Sequence, residues 1–336
     1  MKRKAIVKVM SVSVLFSILV VFPILIVSIH PAQAAETFPS KPIKFIIGDY
    51  SGSAFDTVGR KISPTLTEKL GVPVNPLNIK GALDVEYLNA IHGAEPDGYT
   101  FGFEASWHWM YYLVKPGGPI KFDVTELPLL MAITTYPDCV FASTKSKAGI
   151  KTAEDLLNYK KPIRVADYAN LTPGAVGLKL VGDERGLEIL PVVLESFPEA
   201  AMATVRGDVD IMTATPSGTL LKYVRAGDFI PLFIWSNKRM VNLPDVPCSR
   251  ELGVPEELEG LMLRRLFMTP PGVPKDRMTK LEEGIKATLT DPKILEWGKK
   301  AQQPLTFETG EECFKAVNTL ANFYRKRLAN IQEFIK

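Results

Sequence analysis

The chain has 336 residues, 46% of them hydrophobic and 23% charged, with 40 Lys and Arg against 37 Asp and Glu. Four of the basic residues, Lys2, Arg3, Lys4 and Lys8, lie within the first 34 positions, so the remainder holds 36 basic against 37 acidic side chains and the apparent basicity belongs to the N-terminus. No basic run or basic-aromatic stripe is present to neutralise phosphates, which excludes nucleic acid as a partner.

Those first 34 positions read as an export signal. A basic start is followed by an almost wholly apolar run from Val9 to Ile29 and by small residues at Ala32-Gln33-Ala34, with cleavage expected after Ala34 and delivery to the periplasm. The apolar run approaches the roughly 20 residues that span a bilayer, so an uncleaved anchor is the alternative. About 300 residues then remain, more than one core usually organises, and two domains are expected.

Strand-like and helix-like segments alternate from there on, which predicts an α/β architecture with mostly parallel sheets. Ile43, Phe45, Ile46 and Ile47 form an apolar strand, Gly48 to Ser53 a tight loop with backbone NH groups free for an anion, and Asp56 a helix cap before Val58, Ile62 and Leu66. Next come a strand from Val72 to Leu77, a helix from Asp84 to Ile91 and a strand from Tyr99 to Glu104. The run Leu127 to Ile133 leads through Tyr136-Pro137 into Val140 to Ser143. The middle repeats the grammar, with capping boxes at Thr152 and Ser196, strands near Ile163, Leu190, Val209 and Phe229, and helices opened by Thr172-Pro173 and Thr215-Pro216. The tail adds a strand from Leu261 to Met268, a Pro-rich turn, a stripe through Met278, Leu281, Ile285 and Leu289, and a last helix capped by Thr309 with Glu312.

Three places share one design, a strand end followed by Ser, Thr or Gly and then a helix start: Ser51-Gly52-Ser53 with Asp56, Thr172-Pro173-Gly174, and Thr215-Pro216-Ser217. Each hydroxyl can cap its own helix. Together they suggest donors converging on one crevice at the carboxyl ends of strands. Neither phosphate-loop signature fits. Cys139, Cys248 and Cys313 lack ligand spacing, so no metal or other cofactor is expected, and buried free thiols are favoured over one disulfide. Beyond the signal only His92 and His108 are available to a Ser-His-acid arrangement. His92 reads as a helix-end cap. His108, within Trp107-His108-Trp109-Met110-Tyr111-Tyr112, lies in either a ligand wall or a packed core.

Several ordered pieces carry a family resemblance: Phe38-Pro39-Ser40-Lys41-Pro42-Ile43, Gly52 and Asp56 with Arg60, Pro96-Asp97-Gly98-Tyr99-Thr100, Gly207-Asp208-Val209-Asp210-Ile211-Met212, Ala226-Gly227, Leu243-Pro244-Asp245-Val246-Pro247 and the turn Pro270 to Pro274. Taken together they resemble the periplasmic solute receptors of tripartite tricarboxylate transporters, often called Bug proteins. The resemblance implies a type II periplasmic-binding-protein fold, with residues 36–137 plus 266–336 as lobe I, 138–265 as lobe II, and a ligand cleft between them. It implies a monomeric, non-enzymatic receptor that captures a small organic carboxylate and hands it to membrane permease subunits. A ligand presenter for a membrane receptor kinase and a secreted hydrolase on the same scaffold are the rival readings. Carried over by position, Ser51, Gly52 and Ser53 would touch the ligand carboxylate and Asp56 a ligand donor or bridging water. Gly81 and Ala82 stand at the second glycine-rich loop, Ala105 and Ser106 at a small-residue strand end, and Thr172 with Pro173 at the second-lobe hydroxyl loop. Thr215 completes the hydroxyl set. Tyr50, Phe55, Trp107, Trp109 and Tyr168 lie near loops expected to face the crevice and imply a solute with an aromatic or bulky apolar portion. At the second crossing, where aromatic residues are more typical of the family, stand Arg264 and Arg265: either could reach a carboxylate in bidentate fashion, Arg264 being the expected site residue, and the alternative is that both are solvated or paired with surface acids. The chain departs from the family pattern at Ser53, Ala54 and Phe55, and again at Leu83 and Asp84, where glycines are usual.

Overall fold

A computed structural model describes residues 37–81, 84–114, 118–168, 172–259, 261–301, 303, 305–327 and 329. The expected signal segment lies outside them. From Lys41 onward the elements run β1 (Ile43–Ile47), α1 (Ala54–Leu70), β2 (Val74–Asn78), α2 (Val85–His92), β3 (Thr100–Ala105), α3 (Ser106–Val114), β4 (Leu129–Pro137), β5 (Cys139–Ser143), α4 (Ala153–Leu157), β6 (Ile163–Asp167) and α5 (Pro173–Arg185). They continue with β7 (Ile189–Val193), α6 (Phe197–Arg206), β8 (Ile211–Ala214), α7 (Gly218–Ala226), β9 (Phe229–Ile234), β10 (Met262–Met268), α8 (Lys275–Leu289), α9 (Pro292–Lys300), β11 (Thr306–Thr309) and α10 (Gly310–Lys326).

The strands form two sheets, ordered β11-β4-β10-β3-β1-β2 and β7-β6-β8-β5-β9. The sheets are mixed, against the expectation of mostly parallel ones. Strands joined by helical crossovers, β2, β1 and β3 in one sheet and β7, β6 and β8 in the other, are parallel. The strands that carry the chain between sheets run the other way: β10 is antiparallel to both β3 and β4, and β5 to both β8 and β9. A chain that leaves one sheet through β4 and re-enters through β10 must reverse direction there, and that reversal is what interrupts the parallel order.

The first sheet has a face of alternating phenylalanines. Phe45 stacks on Phe101 at 4.7 Å, Phe103 packs tilted against Phe267 at 4.7 Å, and Phe55 of α1 meets Phe103 at 5.6 Å. Such pairs add about 0.5–1.5 kcal/mol beyond the area they bury. Helix α1 lies close on this face because Gly59 lacks a side chain; a Cβ there would stand 2.6 Å from Ile47 Cδ1. The packing anchors the N-terminus of α1 at the end of β1, where the site is built. All three cysteines are free and buried.

Candidate functional site

The strand ends of both sheets open on one hollow of about 740 Å³, within the usual range for small-ligand sites. Its first wall is the turn between β1 and α1. Ser53, not Asp56, occupies the N-cap, and its hydroxyl accepts a hydrogen bond from the Asp56 amide at 3.1 Å. Asp56 reaches back to the turn: Oδ2 accepts from the Gly52 amide and Oδ1 from Arg60 Nε, both at 2.8 Å. The Tyr50 amide donates to Asp49 Oδ1 and the Ser53 amide to the Tyr50 carbonyl. These three amides, expected to face an anion, are therefore engaged within the turn, two by the carboxylates of Asp49 and Asp56 and one by the Tyr50 carbonyl.

Half of the residues expected at the site line the hollow: Tyr50, Gly52, Ser53, Phe55, Ala105, Trp107, Tyr168 and Thr215. Ser51, Asp56, Gly81, Ser106, Thr172, Pro173 and Arg264 do not line it, and Ala82 lies outside the described residues; Trp109, expected to face the crevice, is buried away from it with its indole NH donating to the Val124 carbonyl at 2.9 Å. The reasons are local. Buried Thr172 turns its hydroxyl to Asp167 Oδ1 at 3.0 Å and makes no capping bond, Pro173 lends its carbonyl to Tyr324 Oη, and the Ser106 hydroxyl accepts from the Arg264 amide. Thr215 caps nothing either. Helix α7 starts at Gly218, and the Thr215 hydroxyl donates to Asp138 Oδ1 at 3.0 Å.

Arg264 is corrected by its neighbour. Alternation along β10 sends Arg264 to Glu308, with Nε to Oε2 at 2.8 Å and Nη2 to Oε1 at 3.1 Å, and turns Arg265 into the hollow. Arg265 is 4% exposed, its guanidinium carbon lies 5.4 Å from the Phe55 ring centroid, and Nη2 donates to Gln303 Oε1 at 2.9 Å. Its Nε and Nη1 have no hydrogen-bond partner among the described residues, nor has the indole NH of Trp107. Burial brings the guanidinium down to about 10, which leaves it cationic at neutral pH. Three buried donors thus face one hollow with no acceptor among the described residues, an arrangement that costs free energy until an acceptor enters.

Sequence reasoning missed Asp138 as well. It sits between β4 and β5, where the chain passes from one sheet to the other, and its amide donates to the Leu261 carbonyl at 2.7 Å. Thr135 shares a hydrogen bond with Thr215 and donates to the Leu263 carbonyl at 2.9 Å, so both passages between the sheets meet behind the hollow. The start of α6 also reaches the wall, through Ser196 and Phe197; Ser196 caps the helix, but the expected capping box is not closed, because the Glu199 carboxylate accepts from the Glu195 amide and not from that of Ser196.

Residues 58–312 match the family described as the tripartite tricarboxylate transporter family receptor. The chain belongs to this family. The receptor is 28% identical over 273 residues to a UPF0065 protein of Bordetella pertussis, covering 78% of this chain and 81% of that protein. A TctC solute-binding protein from Polaromonas superposes with a TM-score of 0.72 at 18% identity, over 87% of this chain and 99% of the other. Rpa4515 of R. palustris, solved with adipate, gives 0.71 at 18% identity, over 88% and 98%. The type II periplasmic-binding-protein fold, two α/β halves about a cleft, is the fold of this receptor.

Proposed function

We propose that the receptor works outside the cytoplasm, encloses one organic carboxylate between lobe I (36–137 and 266–336) and lobe II (138–265), and delivers it unchanged to the permease subunits of a tripartite tricarboxylate-type transporter. The observation that carries this reading is Arg265, a buried cation without a carboxylate partner among the described residues, in a ligand-sized hollow. A solute carboxylate accepting from Nε and Nη1, with the Trp107 indole as a further donor, would satisfy all three groups at once. Charge-assisted bonds in a desolvated cleft offset the hydration the anion loses. The adipate in the Rpa4515 complex makes a carboxylate solute consistent with the family. Phe55, Trp107, Tyr168 and Phe197 add apolar wall, which supports a carboxylate bearing an aromatic or bulky apolar portion over a compact polyacid.

Calorimetric titration against aromatic monoacids, adipate and citrate tests both levels. An aromatic or long-chain acid should bind best and be recovered unaltered, and Arg265→Met should lower its affinity at least a hundredfold, as removal of a buried charge partner does. Preference for citrate would defeat the apolar-solute reading, and unchanged affinity in the Arg265→Met variant would defeat the clamp.

A further inference from the structure

The floor of the hollow on the other side of β3 holds a second cluster that the carboxylate reading does not use. Glu104 and His108, four residues apart across the end of β3 and the start of α3, meet Asp84 from the start of α2. One potential ligand atom from each lies within 4.8 Å of the others. His108 Nδ1 stands against Asp84 Oδ2 and 3.1 Å from Glu104 Oε1. Asp84 is fully buried and Glu104 is 2% exposed, while Glu104 and His108 both line the hollow.

We propose that Asp84, Glu104 and His108 form a binding site for a divalent transition metal of the zinc class, with its open coordination position facing the hollow.

Four features of the chain favour a cation at this point. Asp84 occupies the N-cap of α2 in the left-handed region, φ 55°, yet its carboxylate makes no capping bond and turns into the cluster instead. Lys80 Nζ holds Asp84 Oδ1 at 2.8 Å, which orients the carboxylate and leaves Oδ2 for a ligand bond, the usual outer-shell arrangement. Glu104 Oε1 accepts from the Ala105 amide, but Oε2 has no donor among the described residues and occupies space that a Cβ on Gly48 would fill, 1.7 Å away. Tyr87, buried behind it, presents a hydroxyl without a partner among the described residues against Gly102, two residues along the same face of β3. Two carboxylates share this buried cluster, where like charges side by side repel each other. A bound cation removes that repulsion.

The donor set selects the metal. One imidazole and two monodentate carboxylates leave a fourth tetrahedral position, the pattern of zinc sites that bind an exogenous ligand, whereas Mg²⁺ and Ca²⁺ require more oxygens. Bonds of about 2.0–2.1 Å would set the ligand atoms about 3.4 Å apart, so His108 Nδ1, which stands closer than that to both Asp84 Oδ2 and Glu104 Oε1, would draw back as the ion enters between them.

The test uses the tag-free exported chain, freed of metal with a chelator and then titrated with ZnCl₂ and, separately, MgCl₂. One Zn²⁺ should bind per chain at micromolar affinity or better, with no comparable heat from Mg²⁺. Co²⁺ substitution should give the strong visible bands of a tetrahedral site. Glu104→Gln and His108→Gln, checked for folding by circular dichroism, should each weaken Zn²⁺ at least a hundredfold. Absence of zinc binding, or binding undiminished in both variants, would overturn the site and identify the cluster as a closed ion-pair network. The metal site does not rest on the solute reading: the Zn²⁺ titration needs no carboxylate, and Arg265→Met should leave it unchanged.

Discussion

At Asp138 a single carboxyl group joins the passage between sheets to the wall of the hollow. Burial pushes it up to about 7, with the Thr215 hydrogen bond working the other way. Its neighbours Cys139, Tyr168 and Tyr324 are weak acids that burial pushes higher still, so they stay protonated while Asp138 titrates. The folded carboxyl holds its proton to a higher pH than the unfolded one, so its stabilising contribution is fully present below about 4 and is lost as pH rises through about 7. Between pH 5 and 8 the receptor should lose a few kcal/mol of stability for this reason, and Asp138→Asn should flatten that part of the profile in chemical denaturation. The charge that appears on Asp138 also faces the solute. Carboxylate affinity should therefore fall above pH 7 in the native chain and not in the Asn variant, as read by titration at matched ionic strength.

Among the elements, helix α10 has the tightest seat. Thr309 and Glu312 form the expected capping box, with the Glu312 amide donating to Thr309 Oγ1 at 3.2 Å and the Thr309 amide to Glu312 Oε2 at 2.9 Å. Gly310, directly after the cap, lies so close to β4 that a Cβ would stand 1.8 Å from the Leu129 carbonyl oxygen. Backbone cannot yield as a side chain does, so Gly310→Ala should destabilise by about 1–3 kcal/mol and lower the Tm by several degrees, whereas Gly118→Ala, which meets nothing nearby, should act only through its positive φ. This box was legible because its spacing is local. So were the strands around Ile43, Tyr99, Ile163 and Phe229 and the alternation that makes the fold α/β. Which of Arg264 and Arg265 enters the hollow was not legible, since two adjacent arginines carry no mark of the sheet face each occupies until Glu308 arrives from β11. The same holds for Ser53 against Asp56: both suit a cap, and the choice depends on where the turn ends. His108 stood out in the sequence, but its meeting with Asp84 and Glu104 did not, because α2, β3 and α3 bring the three together across 24 positions of chain.

For the whole molecule, the remaining question is what holds the two halves in contact around a solute. Trp107, after β3, meets Tyr168, after β6, edge to face at 6.0 Å, and Tyr168 continues onto Phe197 at 5.5 Å. Away from the hollow, the Tyr324 hydroxyl of α10 donates to the Pro173 carbonyl at the start of α5, 3.1 Å away. Tyr324 is 1% exposed and absent from the hollow lining, so it acts on the solute only through the arrangement of the halves. A solute shifts an opening equilibrium by its differential affinity for the two states, and a bond present in the closed state adds to that difference. Tyr324→Phe removes the donor with almost no change in shape, at a cost of about 0.5–1.5 kcal/mol to the closed form. Solute affinity should then fall about two- to tenfold, mainly through faster release, since every 1.4 kcal/mol is a factor of ten. X-ray scattering should show the unliganded variant more extended than the native chain, with the two converging when saturated. If affinity stays within twofold and the scattering curves coincide throughout, the Tyr324 bond is rigid scaffold and closure must be governed at the Trp107 and Tyr168 seam.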